Sequence, residues 1–232
     1  MRVLLIIPAY NEEKNIRSLI VDIRQTVPDF DFVIINDASK DNTKAVCESL
    51  NAKIISLPVN LGIGGAVQTG FMYARENGYD IAIQVDGDGQ HDPAHLEQLI
   101  SPIITEYADV SIGSRFIDKY GFQSTFMRRV GIKFFRILVR LLTGIDITDC
   151  TSGFRAYNKC AIQCLAKCYS QDYPEPESII TLCNHGFKIV EVPVEMKERL
   201  AGVSSINTLR SIYYMIKVSL AILIAKIKPR MD

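Results

Sequence analysis

The sequence holds six cysteines but no CxxC pair, and its three histidines complete no zinc-like spacing. That excludes the common structural zinc sites. Cys160, Cys164 and Cys168 recur at helical spacing on one face, where small buried cysteines account for them better than a metal does. Nor is a signal peptide expected, because Met1-Arg2 leads straight into the strand-like run Val3 to Ile7. The thiols are therefore expected to be reduced, in the cytoplasm. There is no internal repeat, low-complexity run or Pro/Gly-rich linker to divide the chain. With 232 residues and 48% hydrophobic composition it reads as one globular domain, 1–206, carrying a helical tail, 207–232.

Two further shortages are local. Apolar residues run from Ile212 to Ile227, but Lys217 and Lys226 interrupt them and Lys228 and Arg230 follow. A membrane span needs about twenty continuous apolar residues, so this stretch predicts a helix lying in the membrane interface or docking on a small membrane protein. The alternative is a helix packed on the domain's own core. Net charge is zero, yet acid is scarce between Arg115 and Arg140. There Arg115, Lys119, Arg128, Arg129, Lys133, Arg136 and Arg140 face only Asp118. An anionic partner near that segment is expected. Within it, Arg129, Lys133, Arg136 and Arg140 form a basic stripe along an otherwise apolar helix over 128–142, a membrane-surface pattern whose alternative is a core helix with a solvated edge.

What is present in the first half is alternation. Short apolar runs at Val3 to Ile7, Phe32 to Ile35, Lys53 to Leu57 and Ile81 to Val85 alternate with helical patterns over 12–25, 42–50 and 64–77. This predicts βαβ units in a mostly parallel sheet. Ligands bind such sheets beyond the carboxyl ends of the strands, where Pro8 to Glu13, Asn36 to Asn42, Asp86 to Asp92 and Gly113 to Phe116 supply polar loops. Asn11 and Asp41 are expected as helix caps, and Glu12 and Asp37 as acceptors for a base or ribose. Asn60 to Gly65 is glycine-rich, but a dinucleotide fingerprint needs glycine where Val67 stands and belongs at the first strand. A Rossmann dehydrogenase is excluded, and these glycines are expected to serve a tight turn and close helix packing.

The loop Asp86-Gly87-Asp88-Gly89-Gln90-His91-Asp92-Pro93 follows directly on a strand-like run. Two carboxylates one residue apart, beside glycines, suit one hard cation such as Mg2+ or Mn2+ shared with a diphosphate. They do not suit a glycosidase, whose acid and nucleophile flank the sugar from opposite sides. His91 and Asp92 are expected to be loop structure.

Together these motifs resemble a family 2 glycosyltransferase of the GT-A fold, with Gly113-Ser114-Arg115-Phe116 as a further match. The likeness narrows to the dolichyl-phosphate mannose synthase-like polyprenyl-phosphate hexosyltransferases. Thr151 to Ala156, Glu177 ahead of Glu191-Val192-Pro193-Val194, and Arg199 to Ser205 carry it; the family commonly has lysine where Ser205 stands. The resemblance implies a single Rossmann-like mixed sheet, mostly parallel and flanked by helices. It implies that Pro8, Tyr10, Glu12, Ile35, Asp37, Asp86, Gly87, Asp88 and Arg199 hold the nucleotide sugar, that Asp86, Asp88 and Gln90 surround Mg2+ or Mn2+, and that Asp88 and Arg115 are catalytic. Arg115 and Arg129 would meet the acceptor phosphate, with Glu177 and Ser205 as further site residues. The activity implied is inverting transfer of a hexose from a UDP- or GDP-sugar to a polyprenyl phosphate by a peripheral protein on the cytoplasmic membrane face, with no nucleic-acid partner. Two alternatives stay open: elongation of a cell-wall or surface polysaccharide on a sugar hydroxyl, and a non-catalytic nucleotide-sugar-binding subunit of a membrane complex.

Overall fold

The computed structural model describes residues 1–121, 126–172, 174–197 and 208–227, the side chains at 126, 127 and 208–214 excepted. Strand β1 (Val3–Ala9) is buried along its whole length. Its side chains alternate between two cores, Leu4 and Ile6 to one and Val3, Leu5, Ile7 and Ala9 to the other, as the period-two pleat of a strand requires. It therefore sits mid-sheet. β2 (Asp31–Asn36) and β4 (Ile81–Gln84) pair with it in parallel, and β3 (Ile54–Ser56) pairs in parallel with β2. The seven-stranded sheet has the order β3-β2-β1-β4-β6-β5-β7, completed by β5 (Val110–Ser114), β6 (Arg155–Asn158) and β7 (Ile189–Pro193). β6 runs antiparallel to both β4 and β5, while β5 and β7 are parallel. The sheet is thus mixed and mostly parallel, as expected.

Helices cover both faces. α1 (Ile16–Thr26), α2 (Thr43–Ser49) and α4 (Leu96–Ile104) close the core that receives Leu5 and Ile7. α3 (Gly62–Glu76), α5 (Phe126–Thr143), α6 (Lys159–Cys168), α7 (Pro174–Asn184) and α8 (Thr208–Ile227) close the other. The glycines of α3 serve close approach: a Cβ on Gly70 would stand 2.1 Å from Ile6 Cγ2, and one on Gly64 2.1 Å from the Ser170 carbonyl oxygen. The expected packing role is borne out.

The expected helix over 12–25 begins later, at Ile16. Asn11 is not its cap, because its backbone is left-handed (φ 58°) and its side chain accepts instead from the Lys40 N–H at 2.8 Å. Asp41 does act at the start of α2, accepting from the Thr43 N–H and hydroxyl. The tail helix α8 lays Val218, Ile222 and Ala225 into the core against α5 and α7 and turns Ile216, Leu220, Leu223, Ile224 and Ile227 outward. Among the described residues no helix is long and apolar enough to cross a membrane.

Candidate active site

The loops after β1 and β2 are tied into one unit. Glu12 N–H donates to Thr43 Oγ1 (2.8 Å), Glu13 N–H to Asp41 Oδ2 (3.1 Å) and Asn11 N–H to Ser39 Oγ (3.0 Å). Burial alone would raise the Asp41 carboxyl, but the Thr43 and Glu13 donors hold it below the usual range. Asp37 is buried, and its two oxygens accept from the N–H groups of Leu61 (2.7 Å) and Gly62 (2.9 Å). It satisfies the first orphan donors of α3 and anchors the Asn60 to Gly65 turn. The expected nucleotide residues fall into three settings. Pro8 and Ile35 are buried side by side in the β1–β2 register, with Ile35 in the core. Tyr10 is open to solvent. Glu12 is half-buried and accepts from Asn15 Nδ2 at 2.6 Å.

The acidic loop after β4 is built from both sides. Gly87 N–H donates to the Pro8 carbonyl (3.2 Å), and a Cβ there would stand 2.9 Å from the same oxygen. Gly89 has φ +77°, which lets the chain turn back so that Gln90 N–H meets Asp88 Oδ1 at 3.0 Å. Asp88 is 5% exposed, and the Asp86 side chain 33%. Gln84 Nε2 donates to Asp86 Oδ1 at 3.1 Å. The Asp86 N–H donates to His91 Nδ1 at 3.0 Å, which fixes that nitrogen as acceptor and puts the imidazole proton on Nε2, 3.8 Å from Asp86 Oδ2. His91 also stacks on Phe154, with centroids 4.7 Å apart, and Asp92 accepts from Ala94 N–H. Both are loop structure, as expected. Gln90 pairs its backbone with Lys197 and reaches that residue's carbonyl with Nε2 at 3.5 Å.

Among the described residues no group of three or more His, Cys, Asp or Glu side chains could hold a metal ion alone. Two hard carboxylates fit a cation whose remaining ligands are phosphate oxygens and water. Gly153 closes over Asp86: a Cβ on it would stand 2.7 Å from Gln84 Nε2 and 3.1 Å from Asp86 Oδ2.

Of the expected cations among the described residues, Arg115 is the buried one. Its Nε and Nη2 meet Asp149 Oδ2 and Oδ1 at 2.7 and 2.9 Å. Glu191 braces this pair by accepting from Thr148 N–H, Thr148 Oγ1 and Asp149 N–H, and burial raises its carboxyl above the usual range despite those donors. Arg129 lies exposed on α5, beside Lys133 and Arg140. The next stripe of that helix exposes Val130, Phe134, Ile137 and Leu141. Glu177, in the first turn of α7, accepts from Ser170 Oγ at 2.6 Å. Arg199 and Ser205 lie outside the described residues.

The sequence from 4 to 166 matches the model of the family described as Glycosyl transferase family 2. The chain belongs to that family. It is 32% identical over 216 residues to undecaprenyl-phosphate mannosyltransferase of Micrococcus luteus, covering 89% of this chain and 88% of that protein. It is 33% identical over 211 residues to UDP-N-acetylglucosamine–dolichyl-phosphate N-acetylglucosaminyltransferase of Methanococcus voltae, covering 82% and 84%. With polyprenol monophosphomannose synthase of Mycolicibacterium smegmatis the identity is 29% over 221 residues, covering 89% and 81%. In three dimensions the chain resembles glucosyl-3-phosphoglycerate synthase of Mycobacterium tuberculosis, crystallised with Mn2+, UDP and glucosyl-3-phosphoglycerate. The TM-score is 0.73 at 20% identity, over 97% of this chain and 79% of that one, a likeness of fold alone. The fold is GT-A.

Three residues around this glycosyltransferase's candidate site carried no assignment in the sequence. Asp149 is the partner of Arg115. Arg155 is fully buried and donates to the carbonyls of Ser152, Cys150 and Glu175 and to Ser178 Oγ, joining the loop under Asp86 to α7. Glu175 is half-buried, and its carboxyl is pushed up to about 7 by burial, against the pull of Arg155 and with the Asp86 charge adding to the rise. Arg155 stands inside the Thr151 to Ala156 motif, so that signal was present. Glu175 could be found only once Arg155 of β6 was seen to reach the first turn of α7.

Proposed function

We propose that this glycosyltransferase moves a hexose from a UDP- or GDP-sugar to a polyprenyl phosphate, with inversion, while lying on the cytoplasmic face of a membrane. The observation that carries the reading is α5, where Arg129, Lys133 and Arg140 run beside the exposed apolar stripe Val130, Phe134, Ile137 and Leu141. Phosphate and lipid can be met there together. The activities for which the Micrococcus and Methanococcus relatives are named, both on polyprenyl-type phosphates, support it.

On this reading, Asp86 and Asp88 would hold Mg2+ or Mn2+, which when bound neutralises charge on the leaving diphosphate. Gln84 and His91 orient Asp86, and Gly87 brings that loop against the Pro8 carbonyl at the end of β1. The Asp37-anchored turn at the head of α3 shapes the nucleotide side. A phosphate acceptor is already ionised at neutral pH, so attack on the anomeric carbon needs orientation by Arg129 and Arg115 more than a general base. Arg115 reaches that role pre-oriented by Asp149.

The decisive experiment supplies radiolabelled nucleotide sugars, divalent cation and polyprenyl phosphate in detergent. Label is expected in an organic-extractable product that mild acid releases. Label found only on soluble saccharides would replace this reading with elongation on a hydroxyl.

A further inference from the structure

Helix α6 ends in a pair of thiols. Cys164 and Cys168 are both half-buried, their sulfurs 3.6 Å apart, and Cys168 Sγ also lies 3.0 Å from the Cys164 carbonyl. They line an open groove of about 410 Å³ with Arg75, Lys167 and His185. Both sulfurs can be reached from this groove. The contact with Cys168, and then burial, pushes the Cys164 thiol well above its usual range, while Cys168 donates its own hydrogen to the Cys164 carbonyl.

The pair sits one residue from the site. Tyr169 is buried and donates its hydroxyl to Gln84 Oε1 at 3.2 Å, and Gln84 in turn donates Nε2 to Asp86 Oδ1. Ser170 donates to Glu177, and its carbonyl packs against Gly64 at the head of α3. Residues four apart on a helix hold their Cβ atoms roughly 5–6 Å apart, whereas a disulfide needs about 3.5–4.5 Å. Closing the pair must therefore open the last turn of α6. That turn is the terminal one, since Cys168 is the last helical residue and Tyr169 is already extended (φ −70°, ψ 137°), and opening it breaks the bond from the Tyr169 N–H to the Leu165 carbonyl.

We propose that Cys164 and Cys168 are a reversible oxidation site, closing to a disulfide under a hydroperoxide and loosening the Tyr169–Gln84–Asp86 chain as they close. One of the two sulfurs attacks the peroxide oxygen and becomes a sulfenic acid, releasing an alcohol or water. The other sulfur then attacks the sulfenic sulfur and displaces water. Two thiol hydrogens and two electrons leave the protein, and the peroxide bond is reduced. A dithiol reductant reverses the change.

The test treats the intact protein with hydrogen peroxide and follows three readouts. Intact mass is expected to fall by two hydrogens, with peptide mapping joining Cys164 to Cys168 and dithiothreitol restoring the mass. Amide hydrogen exchange is expected to quicken over 165–171 and 84–88. Transfer turnover is expected to fall about fivefold or more and to recover on reduction. Cys160→Ser should respond as the wild type, and Cys168→Ser should show neither the mass loss nor the quickened exchange. A mass gain of oxygen alone, a link through Cys160, or a disulfide that leaves exchange at 84–88 unchanged would overturn the proposal. The mass and exchange readouts do not rest on the transferase reading, so reduced protein without transfer activity would count against that reading and not against the disulfide.

Discussion

Arg115 and Asp149 form a buried bidentate ion pair, with Nε–Oδ2 at 2.7 Å and Nη2–Oδ1 at 2.9 Å. Breaking such a pair from one side leaves a charge stranded out of water. Asp149→Ala should therefore destabilise the fold by about 3–5 kcal/mol, read from urea unfolding, and the apolar double variant Arg115→Met/Asp149→Leu should regain most of that loss. Stability and activity should part company there. The double variant is expected to fold and yet transfer poorly, and full transfer by it would reduce Arg115 to a structural residue.

Asp88→Asn keeps an oxygen to accept from the Gln90 N–H and removes only the charge. Fold and melting temperature should hold, while divalent-dependent turnover should drop by about 10²-fold or more, the size of a lost Lewis-acid contribution of several kcal/mol. Titrating Mn2+ against both proteins checks it. Unaltered turnover in the variant would take the carboxylate pair out of the mechanism.

Gly153→Ala places a methyl 2.7 Å from Gln84 Nε2 and 3.1 Å from Asp86 Oδ2. One of these must move. The cost in stability should be about 1–3 kcal/mol, the range for overpacking. Affinity for divalent cation with nucleotide, followed by calorimetry, should fall as well. A loss of stability with affinity intact would show that Gly153 serves packing only.

The parallel half of the fold and its loops were legible because periodicity and punctuation are local. Val3 to Ile7 and Ile81 to Val85 announce strands, and the polar clusters after them announce the ligand edge. The antiparallel β6 carried no such signal. It is four residues long, includes the buried Arg155, and owes its place to pairing with β4 and β5 on either side. Asp149 and Glu175 escaped for the same reason: what they do depends on Arg115, Arg155 and Asp86, which are distant in sequence. Glycine packing was read correctly in kind, while the partners of Gly64 and Gly70 came only from the tertiary structure.

The Glu175 carboxyl, pushed up to about 7 from 4.5, binds its proton more tightly in the folded chain than in the unfolded one. Its contribution to stability is fully present below about pH 4.5 and is lost as pH rises through 7. Glu175→Gln should remove that slope. With divalent ions chelated, the variant's stability relative to wild type should rise by on the order of 1–3 kcal/mol between pH 5 and pH 8. Parallel pH profiles of thermal unfolding for the two proteins would contradict the assignment.

Membrane contact should depend on two neighbouring helices and not on α5 alone. Leu141 is 78% exposed on α5 and Ile227 81% on α8, and these helices pack against each other while each turns an apolar stripe outward. Burying one such side chain in lipid is worth about 1.5–3 kcal/mol. Ile137→Glu/Leu141→Glu and Leu220→Glu/Ile224→Glu should each weaken binding to anionic vesicles by about tenfold or more, measured by co-sedimentation. Because these positions are exposed, each substitution should shift fold stability by only about 0.5 kcal/mol. Raising salt should weaken wild-type binding in part, through Arg129, Lys133 and Arg140, and leave the apolar share. If only the α5 pair mattered, α8 would be a structural brace; if neither did, the surface would belong to a protein partner and not to a lipid.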